Sequence, residues 1–410
     1  MDSKNKVLLL GLVMISIVSS CSPKKILQQY NAEEGNDWLR QQRVREGDFV
    51  VNIIDGNNGK FIEIAQYLGT KTDIQIPSEI LRLSVVSIGE NAFYNNKITN
   101  VTIPDSVRII EKCAFYNNQI TSVIIPDSVR IIEDYAFYNN QLSNITIPNR
   151  VKIIGNYSFC NNQLTNVSIA NGVTDIRNGA FESNQLSSVT IPKSVIHIGY
   201  KAFSGNQLTS VTIPDSVRHI GDGAFEGNQL TNVIIPKDGA YIGDNAFANN
   251  RLTSVTIPEN VINIRDNAFA NNQLMSITIP ENVTHIGNSA FANNQLMSVT
   301  IPENVIHIGN NAFANNQLTS VVMSTKIYHI VHSDCRCHTE LSGFTIGIGA
   351  FMNNKLNSVT IGENVAFGDN PLEKEQLFVF DNGFDNFYHM NGSKAGLYIY
   401  NNSNWDMIIL

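Results

Sequence analysis

The stretch Leu296-Met-Ser-Val-Thr-Ile-Pro-Glu-Asn-Val-Ile-His-Ile-Gly309 sets the architecture, because it returns with small changes every 22 residues. Eleven Phe residues from Phe93 to Phe313 keep that spacing without a slip, and Phe351 follows after a gap of 38. So short and strict a period marks a stack of one small unit, each repeat burying its apolar face only against its neighbours. Within the stretch Val299 and Ile301 point one way and Thr300 the other, the alternation of a strand with one buried face. Pro302 stops the strand because it has no N–H for the ladder. Pro recurs at 104, 126, 148, 192, 214, 236, 258 and 280, with Ala170 as the exception.

The other columns have physical roles that such a stack requires. Asn stands three residues after each of the twelve repeat Phe residues, from Asn96 to Asn354. Its amide can join backbone groups of neighbouring turns that no strand pairs, an Asn ladder. Phe, the bulkiest filler, is expected to stack on the side away from the strands. Val305 and Ile308 are β-branched and predict a short second extended segment. Eleven residues from Pro302 to Phe313 leave room for one turn of 3₁₀ helix at most. A unit of 22 is also too short for a β-α-β crossover of about 30 residues.

Composition bounds the functional classes. The chain has 410 residues, 43% of them hydrophobic and 16% charged, and a formal net charge of −8. An acidic balance gives no basic face for nucleic acid. At the N-terminus Lys4 and Lys6 precede an apolar run from Val7 to Val18, and then Val18-Ser-Ser-Cys21. That spacing looks like a bacterial lipobox, with small residues admitting the peptidase and the Cys21 thiol receiving the lipid. An ordinary signal peptide with an accidental Cys is the alternative. Twelve apolar residues are too few to span about 30 Å of hydrocarbon. Removing residues 1–20 takes away two Lys and one Asp, so the mature charge is −9.

Cys113 and Cys160 lie two repeats apart, too far at about 4.8 Å per repeat for a comfortable disulfide, and read as buried free thiols. His197 and His219 share one column, and His285, His307 and His329 fall on the same column. Such a stripe could take a divalent cation or respond to mild acid, or it is a solvated ladder multiplied by duplication. An insertion at about 331–346 carries His332-Ser-Asp-Cys335-Arg-Cys337-His338, which with His329 gathers three His, two Cys and one Asp. A soft-ligand metal site, a local disulfide and an unspecialised loop all remain open for it.

The three outward strand positions of all twelve repeats hold no charged residue among 36, where the 16% average would place about six. They are Thr, Ser and Asn, with Met275, Met297, Ile124, Ile234 and Val322 interspersed. An interaction face is therefore expected around Met275, Met297, Ser276, Ser298, Thr278, Thr300, Ile234 and Val322, with the Met pair as an adaptable apolar spot. Strand propensity inherited through duplication would give the same pattern without a ligand. No G-x-S-x-G, H-E-x-x-H or phosphate-binding Gly loop is present, so no enzyme is expected.

The repeated L-x-x-V-x-I-P-x-x-V-x-x-I-G-x-x-A-F resembles that of the BspA-like, treponemal-type leucine-rich-repeat proteins of bacterial surfaces, over roughly residues 60–365. The lead-in from Tyr67 to Pro77, with Val86-Ser-Ile-Gly89 and Ala92-Phe93, is similar to that group's entry segment. Where many members carry Cys, this chain carries the Asn column. The resemblance implies a mainly β leucine-rich-repeat solenoid of about twelve 22-residue units, with a parallel sheet on the concave face, little helix and capping hairpins at both ends. The expected layout is a lipoprotein signal peptide at 1–20, a tether at 21–45, capping strands at 46–76, the solenoid at 77–361 and a C-terminal cap at 362–410. A helical stretch is expected within Leu372–Tyr388. Adhesion to proteins or other surface macromolecules carries over as a class expectation only, since repeats encode scaffold and not ligand. The chain is thus expected to be a monomer, lipid-anchored through Cys21 in the outer membrane or at the cell surface, without other cofactor. A surface coat or periplasmic spacer is the competing reading.

Overall fold

The computed structural model describes residues 39–56, 59–237, 241–323, 345–361, 366–367, 384, 396–401 and 404–408. Cys21 and the signal segment, the insertion residues His329, His332, Cys335, Cys337 and His338, and nearly all of the Leu372–Tyr388 stretch lie outside them.

Three antiparallel strands open the fold: β1 (Leu39–Glu46), β2 (Phe49–Gly56) and β3 (Gly59–Tyr67). β2 and β3 are the expected hairpin. β1 corrects the tether boundary at 45, because it is already strand from Leu39 and pairs Val44 with Val51. Its sequence hid it: Arg40, Gln42 and Arg43 make an edge strand whose main apolar anchor is Val44, packed against the core.

From β3 onward each unit makes one turn and stacks in parallel register on the last. Two extended segments recur in each turn. The two-residue segments before the Gly corner, such as Ile153–Ile154, Asp175–Ile176, His197–Ile198 and His219–Ile220, continue the ladder of β3 without interruption to Tyr241–Ile242. A second run goes from Asn263–Ile264 to Ala366–Phe367. On the leucine side the ladder is shorter. Asn144–Ile147 pairs Asn166–Ile169, Ser210–Thr212 pairs Asn232–Ile234, and Ser298–Ile301 pairs Ser320–Met323, which pairs Ser358–Ile361. Between these groups the turns stay in register, but the bond from Met275 N to Thr253 O stretches to 3.5 Å.

The leucine side was expected to be the main sheet, yet the short Ile segments carry the longer ladder. Close approach explains it. A Cβ on Gly221 would lie 2.5 Å from the carbonyl carbon of Gly199, so the turns touch backbone to backbone there. Gly221 N donates to Ile198 O at 2.8 Å across that corner. Ala170, which replaces Pro, uses the N–H that Pro lacks to bond Ile147 O.

The interior is the predicted set of columns. The twelve Phe rings from Phe93 to Phe351 stack with centroids 5.0–5.7 Å apart and near-parallel planes. Tyr67 of β3 extends the pile at 5.5 Å from Phe93, so the cap shares the repeat's core. The Asn column is buried and bridges turns: Asn206 gives its amide to Phe181 O at 2.9 Å and Phe203 O at 3.1 Å, while Leu186 N donates to its Oδ1 at 3.0 Å. At the far end Ser358–Ile361 pairs antiparallel with Gly396–Asn401, which pairs with Asn404–Ile408. That is the second expected capping hairpin, with Phe384 edge-on to Tyr398 and Trp405.

The insertion leaves the columns intact. His307 pairs Thr345 and Ile308 pairs Ile346, Phe351 stacks on Phe313 at 5.4 Å, and Leu318 N reaches Asn354 Oδ1 at 3.0 Å. The next rung after His307 is therefore Thr345. The expected place of His329 in the His column lies outside the described residues, while Thr345 and Ile346 belong to the ladder and not to the insertion. The reason is geometric: Ile346-Gly347 supplies the close-packing corner, and a rung is set by that corner and not by counting 22 residues.

Candidate interaction surface

Leu, Val and Ile at the buried strand positions turn the intervening residues outward, which places all eight predicted contact residues on the surface. Met275 and Met297 are 51% and 57% exposed on successive turns, Ile234 is 57% and Val322 37% exposed, and Ile124 is 84% exposed. Thr300 sits opposite Val322 in register. Ser276, Ser298, Thr278 and Thr300 are exposed and engage no other side chain among the described residues. The column one step earlier is partly occupied: Thr319 Oγ1 donates to Met297 O at 3.3 Å and Thr165 Oγ1 to Ser143 O at 3.2 Å. Thr165 and Thr319 at that first position thus turn their hydroxyls to the protein's own backbone, while Ser276, Ser298, Thr278 and Thr300 at the other two positions face outward.

The structure separates the His stripe into two unlike pairs. Asp175 Oδ1 lies 2.9 Å from His197 Nδ1. That hydrogen bond raises the His197 pKa against the opposing effect of burial. Burial would push the Asp175 carboxyl up, but hydrogen bonds from His197 and Thr174 outweigh it and hold it below its usual range. His219 stacks instead on Tyr241 at 4.6 Å, and burial together with His197 lowers its pKa. Further along, His285 and His307 face each other with centroids 6.0 Å apart.

Three features escaped the sequence reading. Ile196, Ile262 and Ile306 are exposed just before the short segments, because the buried Val and Ile of each turn stand three residues apart and both residues between them face outward. Tyr94, Tyr116 and Tyr138 form a surface stack at 5.1 and 4.9 Å, and Tyr135 on Tyr157 forms a second at 5.2 Å. Tyr recurring one residue after Phe in three consecutive repeats was the available signal. Finally, Glu111 and Glu133 occupy the Gly corner, next to Glu63 of β3. Burial and the neighbouring Glu63 push the Glu111 carboxyl up to about 8, and burial pushes Glu133 up to about 7. Among the described residues no three His, Cys, Asp or Glu side chains gather as a metal centre.

The BspA type leucine rich repeat region, in six copies, matches residues 86–209, 196–320 and 263–375. A leucine-rich repeat protein from Bacteroides ovatus is 23% identical, over 77% of this chain and 90% of its own, with a TM-score of 0.52. The pneumococcal vaccine antigen PcpA is 17% identical, over 80% of this chain and 99% of its own, with a TM-score of 0.50. At these identities the likeness is one of fold. No curated protein matches the chain. The repeat match spans well over half of the sequence and coincides with the stacked Phe and Asn columns, and the chain belongs to the BspA-type leucine-rich-repeat proteins.

Proposed function

We propose that this chain is a non-enzymatic binding module of the cell envelope, anchored by lipid on Cys21, that captures a protein or other surface macromolecule on its leucine-side face. The observation that supports this reading is the uncharged face on which Met275 and Met297 stand half-exposed beside unengaged hydroxyls. Methionine adapts its shape to an apolar partner, while Ser and Thr satisfy polar groups around it, the composition of an interface centre and rim. The absence of charge leaves little electrostatic steering, so partner capture should depend weakly on salt. Membrane contact is through the lipid alone, and capture on the leucine-side face is by a monomer and needs no cofactor or nucleic acid.

The test is capture of surface macromolecules by the wild type and by the double variant Met275→Lys/Met297→Lys, with protease shaving of intact cells to establish display. Capture lost with folding retained supports the face. Unchanged capture removes it. A coat or spacer is the second reading, favoured by the near-identity of the turns holding Phe247 to Phe313. It predicts that excising two of those turns alters surface shielding and leaves any binding intact.

A further inference from the structure

We infer that His285 and His307 form a two-imidazole site for a divalent transition cation of the zinc class, separate from the leucine-side face. The two residues are register partners on adjacent turns, and their rings stand 6.0 Å apart at 45°. With metal–nitrogen bonds of about 2.0–2.1 Å, an ion lies about 3.2 Å from each ring centre, so one ion reaches rings about 5.2 Å apart at the tetrahedral angle and about 6.4 Å apart in a straight line. The observed 6.0 Å lies between the two, so a tetrahedral ion draws the rings together by about 0.8 Å.

Nδ1 of each ring has a threonine hydroxyl within hydrogen-bond distance. His285 Nδ1 lies 2.9 Å from Thr284 Oγ1, and Thr284 in turn donates its hydroxyl proton to Ile262 O at 3.3 Å. When Thr284 gives its proton to Ile262 O or Asn263 Oδ1 it accepts from His285 Nδ1, and the His285 lone pair is then on Nε2. His307 Nδ1 lies 2.8 Å from Thr345 Oγ1, and a rotation of that hydroxyl lets it accept in the same way. With both hydroxyls accepting, each imidazole has a threonine on Nδ1 and its lone pair on Nε2, the outer-shell arrangement that metal-binding histidines use. His197 and His219 are also register partners, but each is committed elsewhere, to Asp175 on one side and Tyr241 on the other. Imidazole is a borderline-soft ligand suited to Zn²⁺, Ni²⁺ and Cu²⁺, and two such ligands leave coordination positions for water or for a carboxylate of a partner.

The experiment is calorimetric titration of ZnCl₂ into the purified full chain, with folding of every variant checked by circular dichroism. The reference is the triple variant Cys335→Ser/Cys337→Ser/His338→Ala, which removes both thiols and one imidazole of the insertion. One Zn²⁺ should bind with equal affinity to the wild type and the reference. Affinity should fall at least about tenfold in His285→Ala and in His307→Ala, and about tenfold in Thr284→Val. His197→Ala and His219→Ala should match the wild type. The inference is overturned if the wild type takes up no Zn²⁺, if uptake disappears in the triple variant, or if it survives in His285→Ala/His307→Ala.

Discussion

The side-chain oxygen of Asn250 accepts the backbone N–H of Leu230 at 3.0 Å, across one turn of the stack. The same side chain gives its amide to Phe225 O at 2.9 Å and Phe247 O at 3.2 Å. One buried residue thereby satisfies backbone groups of two successive turns at the corner where no strand pairs. Truncation leaves those groups buried without partners, which costs the desolvation of each. Asn250→Ala is expected to destabilise by about 3 kcal/mol or more, and the Leu230 amide should lose hydrogen-exchange protection before distant turns do. Equal protection throughout the stack would show that the rung carries no local stability.

Ser158 stands where Ala136 and Ala180 stand in the adjacent turns, fully buried, and its hydroxyl has no hydrogen-bond partner among the described residues. The column is shaped for Ala, so Ser158→Ala removes an unsatisfied group without opening a cavity. Stability should rise by about 1 kcal/mol in chemical denaturation. A fall would mean that the hydroxyl is satisfied by water.

The Glu63–Glu111–Glu133 seam predicts how stability depends on pH. Glu111 and Glu133 have folded values of about 8 and about 7 against an ordinary 4.5. Between those limits the native state holds protons that the unfolded chain releases. Their contribution is full below about pH 4.5 and is lost as pH rises through 7 and 8. Melting temperature should therefore fall from pH 5 to pH 9. Glu111→Gln, which keeps the shape without the charge, should flatten the decline and melt higher than wild type at pH 9. An unchanged slope in that variant would remove the seam as the cause.

Cys160 is buried, and burial pushes its thiol up to about 12. Cys113 is half-buried with φ +55°, a left-handed corner that Asn91, Asn245, Asn267 and Asn311 occupy in other turns. In native protein at pH 8 a thiol reagent should leave Cys160 unmodified until unfolding. Cys113→Asn should stabilise by about 0.5–1 kcal/mol, because Asn enters the left-handed region more cheaply. Rapid native labelling of Cys160 would contradict its burial.

Much of this was legible because the signals are local. Alternation along Leu296–Ile301 identified the buried face, and the Phe and Asn columns named the interior stack and its polar rung before any turn was closed. The left-handed corners two residues either side of each Phe were legible in principle, since Asn or Gly fills most of them, as at Asn245 and Asn249 around Phe247. Tyr135 and Tyr157 masked that pattern.

The sequence alone thus determined the length of the turn, the residues inside it and the hairpins that close both ends, because period and side-chain polarity act within a single repeat. Only the tertiary structure decided that Thr345 pairs with His307, that the short Ile segments carry the longer ladder, and that Glu63 of the cap meets Glu111. Those outcomes depend on how closely successive backbones approach and where an insertion rejoins the stack, distances that no single repeat encodes.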